Sequence, residues 1–345
     1  MNDRLARLQG LLEEPLLITN PVNVVYLVGF HSSNCALLVE RDRVRLFTDF
    51  RYLQAARAVE HAETVQTKRN VIAELAETLT GRVGFEATAV SYANYELLQN
   101  GTLEPVATYG VVEQLRAVKD VGELDALRKA CAITDRVFEQ LIEVPFVGRT
   151  EREVAWDLVQ LFHAEGGEGL AFESIVGSGP TGSRPHARAG DRTIGTGELV
   201  VIDTGTTIDG YASDYTRTFA TGPLDGEAME VYETVLQAQQ AALDGIRAGV
   251  SGVAADALAR RVIDESPFSG AMGHGLGHGL GLDVHEQPRL STESSDVLVP
   301  GNVVTVEPGI YLDGKFGVRI EDDVVVTEDG IENLTGFRKD LVVVS

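Results

Sequence analysis

The sequence predicts a two-domain chain of mixed structure, α/β in its first third and α+β beyond, on three observations. Residues 1–114 alternate short apolar strand-like runs with helical stretches, the pattern of a small α/β domain. From Leu115 long amphipathic helices set in. Residues 115–345 then repeat one order of elements at an offset of 104 residues, which predicts a larger domain built around an internal pseudo-twofold.

In the first domain the strand-like runs are Leu16–Thr19, Cys35–Val39, Val44–Thr48 and Val83–Phe85. The helical stretches are Arg51–Ala58, Val71–Leu79 and Tyr92–Asn100, and Leu103–Gly110 with Pro105 reads as the connection. Helices are then expected over Glu123–Glu143 and Glu151–Glu165, with Gly148-Arg-Thr150 supplying a turn and an N-cap between them.

Two hairpins follow. Val200–Ile208 is β-rich, Asp209-Gly210 is a type I′ signal, and Tyr211–Phe219 is the return strand. With a two-residue loop, paired residues sum to 419, so Asp214 lies opposite Gly205 and Asp203 is its diagonal neighbour on the same face. The second hairpin runs Val303–Leu312, turns at Asp313-Gly314-Lys315, and returns over Phe316–Val326. A three-residue loop makes pairs sum to 628 and sets Glu307 opposite Glu321, whereas a two-residue loop needs a bulge to do so.

The repeat ties the hairpins together. Gly122 and Gly226 each open a helix, Gly148 and Gly252 each precede another, and Asp203 and Glu307 each open a hairpin. Such a duplication brings four carboxylates to one centre. Any one of them alone reads as part of a solvated face. Four together out of water repel one another strongly, and two dications offset that charge.

Glycine recurs at 273, 275, 277, 279 and 281, a poor helix and a strand with one bare face that lets backbone approach closely. The other face is expected to carry His274, Leu276, His278 and Leu280 together. With His285 close by, the segment offers one metal ligand and two acid–base or oxyanion partners.

Composition sets limits. The chain has 345 residues, a formal charge of −23 and two cysteines, Cys35 and Cys131. That charge, with no dense basic run, argues against nucleic acid or an anionic membrane as partner, and two cysteines suggest neither a disulfide framework nor a thiolate site. No apolar run approaches the length of a membrane span and the N-terminus lacks a signal core, so a cytoplasmic location is expected. Gly177-Ser-Gly179-Pro-Thr-Gly182 fits a dinucleotide-binding pattern, but no helix is expected to open there.

The residues Ile202-Asp203-x-Gly205, Tyr211-x-Ser-Asp214-x-Thr-Arg-Thr-Phe219, Gly277-His278-Gly with His285-Glu-x-Pro288, Glu307-Pro-Gly-Ile-Tyr311 and Val318-Arg319-Ile-Glu321-Asp322 resemble the pita-bread (creatinase/aminopeptidase-like) metallopeptidases. The likeness is greatest to the proline-specific branch, Xaa-Pro dipeptidase (prolidase) and aminopeptidase P, and extends less specifically to the N-terminal domain. The resemblance implies that Asp214 and Glu321 bridge two divalent ions, that His278 and Glu307 complete one, and that Asp203 completes the other. Glu307 is implied as general base, His285 as oxyanion stabiliser, His186 as its helper, and Arg319 as the group orienting Glu321. His274, Arg289 and Tyr311 are implied at the substrate. Mn²⁺ suits an oxygen-rich set with one imidazole, with Co²⁺ or Zn²⁺ as alternatives.

The expected substrates are small proline-containing peptides, cleaved at the Xaa-Pro bond, a tertiary amide with no N–H to grip. Arg289 resembles an arginine that clamps the proline carboxylate, which favours dipeptides over the longer substrates of aminopeptidase P. A homodimer is expected from the family. Methionine aminopeptidases, metal-free creatine-hydrolysing relatives and a non-catalytic peptide-binding module of the same fold are the alternatives, and the full ligand set speaks against the last two.

Overall fold

The computed structural model describes residues 3–345. Internal contacts divide the chain into one unit ending at Arg116 and another beginning at Ala117.

The first unit is a six-stranded mixed sheet with helices. Its strands are β1 (Leu16–Ile18), β2 (Cys35–Val39), β3 (Val44–Thr48), β4 (Glu63–Gln66), β5 (Gly81–Glu86) and β6 (Leu103–Thr108), in the order β4-β3-β2-β1-β5-β6. Helices α1 (Asp3–Leu11), α2 (Pro21–Val28), α3 (Leu53–Ala56), α4 (Val71–Thr78) and α5 (Tyr92–Gln99) connect them, and α6 (Val111–Ala117) follows the sheet. The segment expected to be a connection is instead β6, paired in parallel with β5 along its whole length. Pro105 is tolerated there because β6 is an edge strand, where a missing N–H donor breaks no second ladder. In α2, Pro21 occupies the first turn and the Asn20 side chain caps Val22 N–H. Glu86, buried at the end of β5, accepts from the backbone of Thr19 and Asn20 and from Asn23 Nδ2, while Arg116 Nη1 donates to Asn23 Oδ1.

The second unit contains the duplication. Helices α7 (Val121–Leu141) and α8 (Glu151–Ala164) each begin with a capping box, Asp120 with Glu123 and Thr150 with Glu153. Their counterparts α9 (Gly226–Gly245) and α10 (Gly252–Asp264) begin at Asp225 and Ser251 caps, so Gly252 is the first helical residue and does not precede the helix. After each helix pair comes a strand, β7 (Ile175–Ser178) or β12 (Gly277–Gly279). Each is followed by a hairpin, and β13 (Glu286–Leu290) flanks β12. No α-helix opens at Gly177–Gly182; a short 3-10 helix over Gly179–Ser183 follows β7.

Both hairpins keep the expected register but neither is continuous. The first pairs β8 (Leu199–Thr204) with β11 (Tyr215–Ala220) and β9 (Thr207–Ile208) with β10 (Tyr211–Ala212), every pair summing to 419. Asp209 and Gly210 have φ of 50° and 79°, the two positive values a type I′ turn requires. The second pairs β14 (Val303–Val306) with β17 (Asp322–Val326) and β15 (Gly309–Leu312) with β16 (Phe316–Arg319), every pair summing to 628 about a three-residue loop. Each ladder is interrupted at its carboxylates, Asp214 in one hairpin and Glu307 with Glu321 in the other. The sheets repeat the order β7-β8-β11 as β12-β14-β17, the second extended by β13 and by β18 (Ile331–Asn333). Behind them, β14 and β17 side chains pack on α9 and α10 through Val304, Val306, Val324, Val235, Ala238 and Ala259.

The glycine-rich segment is a regular strand only over Gly277–Gly279. A Cβ on Gly277 would lie 2.0 Å from the Thr305 carbonyl oxygen and one on Gly279 2.1 Å from that of Gln287, so the bare face is occupied by backbone. The expected common face does not extend over four residues: His274 and His278 line a cavity, while Leu276 and Leu280 enter two separate apolar clusters.

Candidate metal centre

A cavity of about 520 Å³ is lined by Asp203, Asp214, His278, Glu307 and Glu321 together with His186, His274, His285, Arg289 and Arg319. Two hairpins and β12 supply the first five. Donor atoms of Asp214, His278 and Glu321 lie within 4.8 Å of one another. His278 Nε2 is 3.3 Å from Glu307 Oε1 and 3.8 Å from Asp214 Oδ2. Its Nδ1–H donates to the Gly279 carbonyl at 3.1 Å, which leaves Nε2 directed at the carboxylates.

The electrostatics are those of acids crowded out of water. Burial first, and then the charge of Asp203, raises Asp214 well above the ordinary carboxylate range; burial and Asp214 do the same to Glu321. Glu307 differs. Burial pushes it up, but the His278 hydrogen bond and charge outweigh that and hold it at about 2.

This donor set fits divalent cations. It comprises four carboxylates and one imidazole of fixed tautomer, and Asp203 Oδ1 is buried with no hydrogen-bond partner among the described residues. A cation answers each of these features at once.

Arg319 is fully enclosed and spans the repeats. Its Nη2 donates to Asp203 Oδ2 at 2.5 Å, Nε to Thr216 Oγ1 at 2.9 Å and Nη1 to the Tyr311 hydroxyl at 2.9 Å. Its direct partner is therefore Asp203. Glu321 Oε2 lies 3.9 Å away and is reached through Thr216, whose hydroxyl donates to it at 2.6 Å.

Tyr311 does not line the cavity, contrary to its expected place at the substrate. Its hydroxyl accepts from Arg319 and lies 2.9 Å from His274 Nε2. His274 Nδ1 must donate to the Gly275 carbonyl at 2.7 Å, and burial lowers this histidine's pKa, so the neutral ring accepts the Tyr311 proton at Nε2. His274 thus reaches the cavity with both ring nitrogens engaged by protein.

His186, His285 and Arg289 are exposed on the cavity wall. The His285 ring lies 4.3 Å from that of His278, and burial with the neighbouring imidazole lowers its pKa. The Arg289 guanidinium has no hydrogen bond or ion pair among the described residues; only its backbone is held, by Asp296 and Ser294.

One residue of the centre was not singled out from the sequence. Asp323, fully buried, accepts the Asp214 N–H at 3.0 Å and lies 3.3 Å from the Cys131 thiol, and burial pushes its pKa up to about 8. In the run Glu321-Asp-Asp the second aspartate resembles a solvated strand residue. Only the ladder parity, which sets 323 on the face of 321, could have marked it.

Residues 125–328 match the model of metallopeptidase family M24 and residues 4–118 that of the creatinase/prolidase N-terminal domain. The chain belongs to metallopeptidase family M24. It is 35% identical to the Xaa-Pro dipeptidase of Pyrococcus furiosus, over 99% of this chain and 100% of that one. Among solved structures it is similar to the Xaa-Pro dipeptidase from Bacillus anthracis, with a TM-score of 0.93, 36% identity and 99% of each chain covered. It is also similar to the X-Pro aminopeptidase from Thermotoga maritima, with a TM-score of 0.89, 37% identity, and 99% and 100% covered.

Proposed function

We propose that this chain is a metal-dependent Xaa-Pro dipeptidase. The observation that carries the reading is one cavity in which five candidate metal ligands face an arginine, Arg289, whose guanidinium has no partner among the described residues.

Asp203, Asp214, His278, Glu307 and Glu321 would hold two divalent cations, with Mn²⁺ favoured by the oxygen-rich set. When bound, such a pair supplies Lewis-acid polarisation of the scissile carbonyl and an acidified water. Glu307, on the cavity wall beside His278, would serve as general base towards the attacking water. Neutral His285 has one N–H to donate to the developing oxyanion, with His186 across the same wall. Arg289 pairs with the carboxylate of a C-terminal proline, which orients a dipeptide and disfavours a chain that continues past the proline. Phe172, Ile175 and Val284 give the cavity its apolar side.

The resemblance to the Thermotoga maritima aminopeptidase supports a second reading, removal of Xaa from longer Xaa-Pro peptides. The test is titration of chelated protein with Mn²⁺ while assaying proline release from an Xaa-Pro dipeptide beside Xaa release from an Xaa-Pro-Xaa tripeptide. Turnover of the dipeptide alone is expected. Comparable tripeptide turnover would favour the aminopeptidase, and no metal-dependent turnover of either would sink both.

A further inference from the structure

The two halves of the centre brace each other, and the bracing is reciprocal. Asp214 and Glu321 stand at the breaks in the return strands of their hairpins, just before β11 and β17, and the residues two further on are Thr216 and Asp323. Glu321 N–H donates to the Thr216 carbonyl at 3.1 Å, and the Thr216 hydroxyl donates to Glu321 Oε2 at 2.6 Å. In the other direction Asp214 N–H donates to Asp323 Oδ2 at 3.0 Å. Each candidate bridging ligand is thus held by the residue two places beyond the other.

The two arms differ in kind. Thr216 uses its backbone and a neutral hydroxyl, whereas Asp323 uses a carboxylate with no exposed surface. Asp323 Oδ2 has one other neighbour, the Cys131 thiol at 3.3 Å, and Oδ1 is buried with no hydrogen-bond partner among the described residues. Burying a carboxylate so sparsely partnered is costly. Its main polar contact is the amide that fixes where Asp214 stands, at a point where the hairpin ladder supplies no partner for that amide.

We propose that Asp323 is a positioning residue of the metal centre, holding the Asp214 backbone so that its carboxylate meets His278 and Glu321. The proposal rests on the metal-dependent reading above. It assigns Asp323 no contact with substrate or ion. Removing its acceptor frees the Asp214 amide, and the carboxylate loses its fixed place while the other four ligands keep theirs.

The test compares wild type, D323V and D323N, each stripped with chelator and titrated calorimetrically with Mn²⁺, with thermal midpoints recorded for the stripped and loaded forms. Wild type is expected to bind two ions. D323V, which fills the space without an acceptor, is expected to bind at least one of them about 10–100-fold more weakly. D323N, which keeps an oxygen for the Asp214 amide, is expected to recover most of that loss. A purely structural role would lower the stripped midpoint of D323V and leave its Mn²⁺ affinities unchanged. Wild-type affinities in D323V would overturn the proposal alone, as would a D323N protein no better than D323V. A wild type that binds no ion would overturn the metal-dependent reading as well. Should D323V not fold, D323A takes its place under the same criteria.

Discussion

Arg319 on the second hairpin donates to Asp203 on the first, guanidinium to carboxylate at 2.5 Å with both groups out of solvent. The same guanidinium donates to Thr216, Tyr311 and the Pro185 carbonyl, so four acceptors converge on one planar donor. A lysine keeps the charge but not the fixed fork of directions. R319K is expected to weaken Mn²⁺ binding by about 10–100-fold, read by calorimetry on chelated protein. Unchanged affinity would show that Asp203 needs no such anchor.

Arg217 is a buried tie between the hairpins and the C-terminal tail. It donates to Asp322 Oδ1 and to the carbonyls of Thr216, Glu321, Phe337 and Arg338. R217M leaves those carbonyls and Asp322 short of donors, although Lys339 and Asn333 still reach Asp322. Unfolding of chelated protein in denaturant should show a loss of about 3–5 kcal/mol. A loss below about 1 kcal/mol would mean the tail rearranges to restore the contacts.

Glu86 gives the first unit a pH dependence of its own. Burial raises its pKa above the ordinary value of 4.5 despite hydrogen bonds from Asn23, Asn20 and Thr19. An acid raised on folding stabilises the fold fully below its unfolded value and loses that contribution as pH rises through its folded value. The stability difference between E86Q and wild type should therefore grow in favour of E86Q above about pH 4.5. Hydrogen exchange at the Leu16–Ile18 amides across that range measures it, and a pH-independent difference would count against the assignment.

Arg289 is expected to act on binding more than on the chemical step. For an Xaa-Pro dipeptide, R289A should raise KM by about 10–100-fold, the loss of one charge-assisted hydrogen-bonded pair, and change kcat by less than about threefold. For a tripeptide it should change neither. An equal effect on both substrates would remove Arg289 from carboxylate recognition.

What the sequence made legible is what covalent connectivity fixes. The Asp209-Gly210 turn and side-chain parity determine the first register, and the Thr150 cap marks where the second long helix begins. The contacts that escaped depend on which distant segments meet. Tyr311 reads as a substrate residue until the fold sets it between Arg319 and His274, and Asp323 reads as solvated until β17 is covered. Pro105 suggested a connection because sequence alone does not reveal which strand lies at an edge.

Both hairpins keep a single register through their interruptions, and both tips, at Asp209 and at Asp313–Lys315, are exposed. Parity survives only even shifts of register, so a residue added to or removed from a tip that the loop does not absorb would turn every later side chain on that strand to the opposite face. Asp214 or Glu321 would then address the apolar layer with its identity intact. Loop length at two solvent-facing bends is therefore the calibration of a buried metal centre. A homologue could keep all five ligands in its sequence and still lose the site through an insertion that touches none of them.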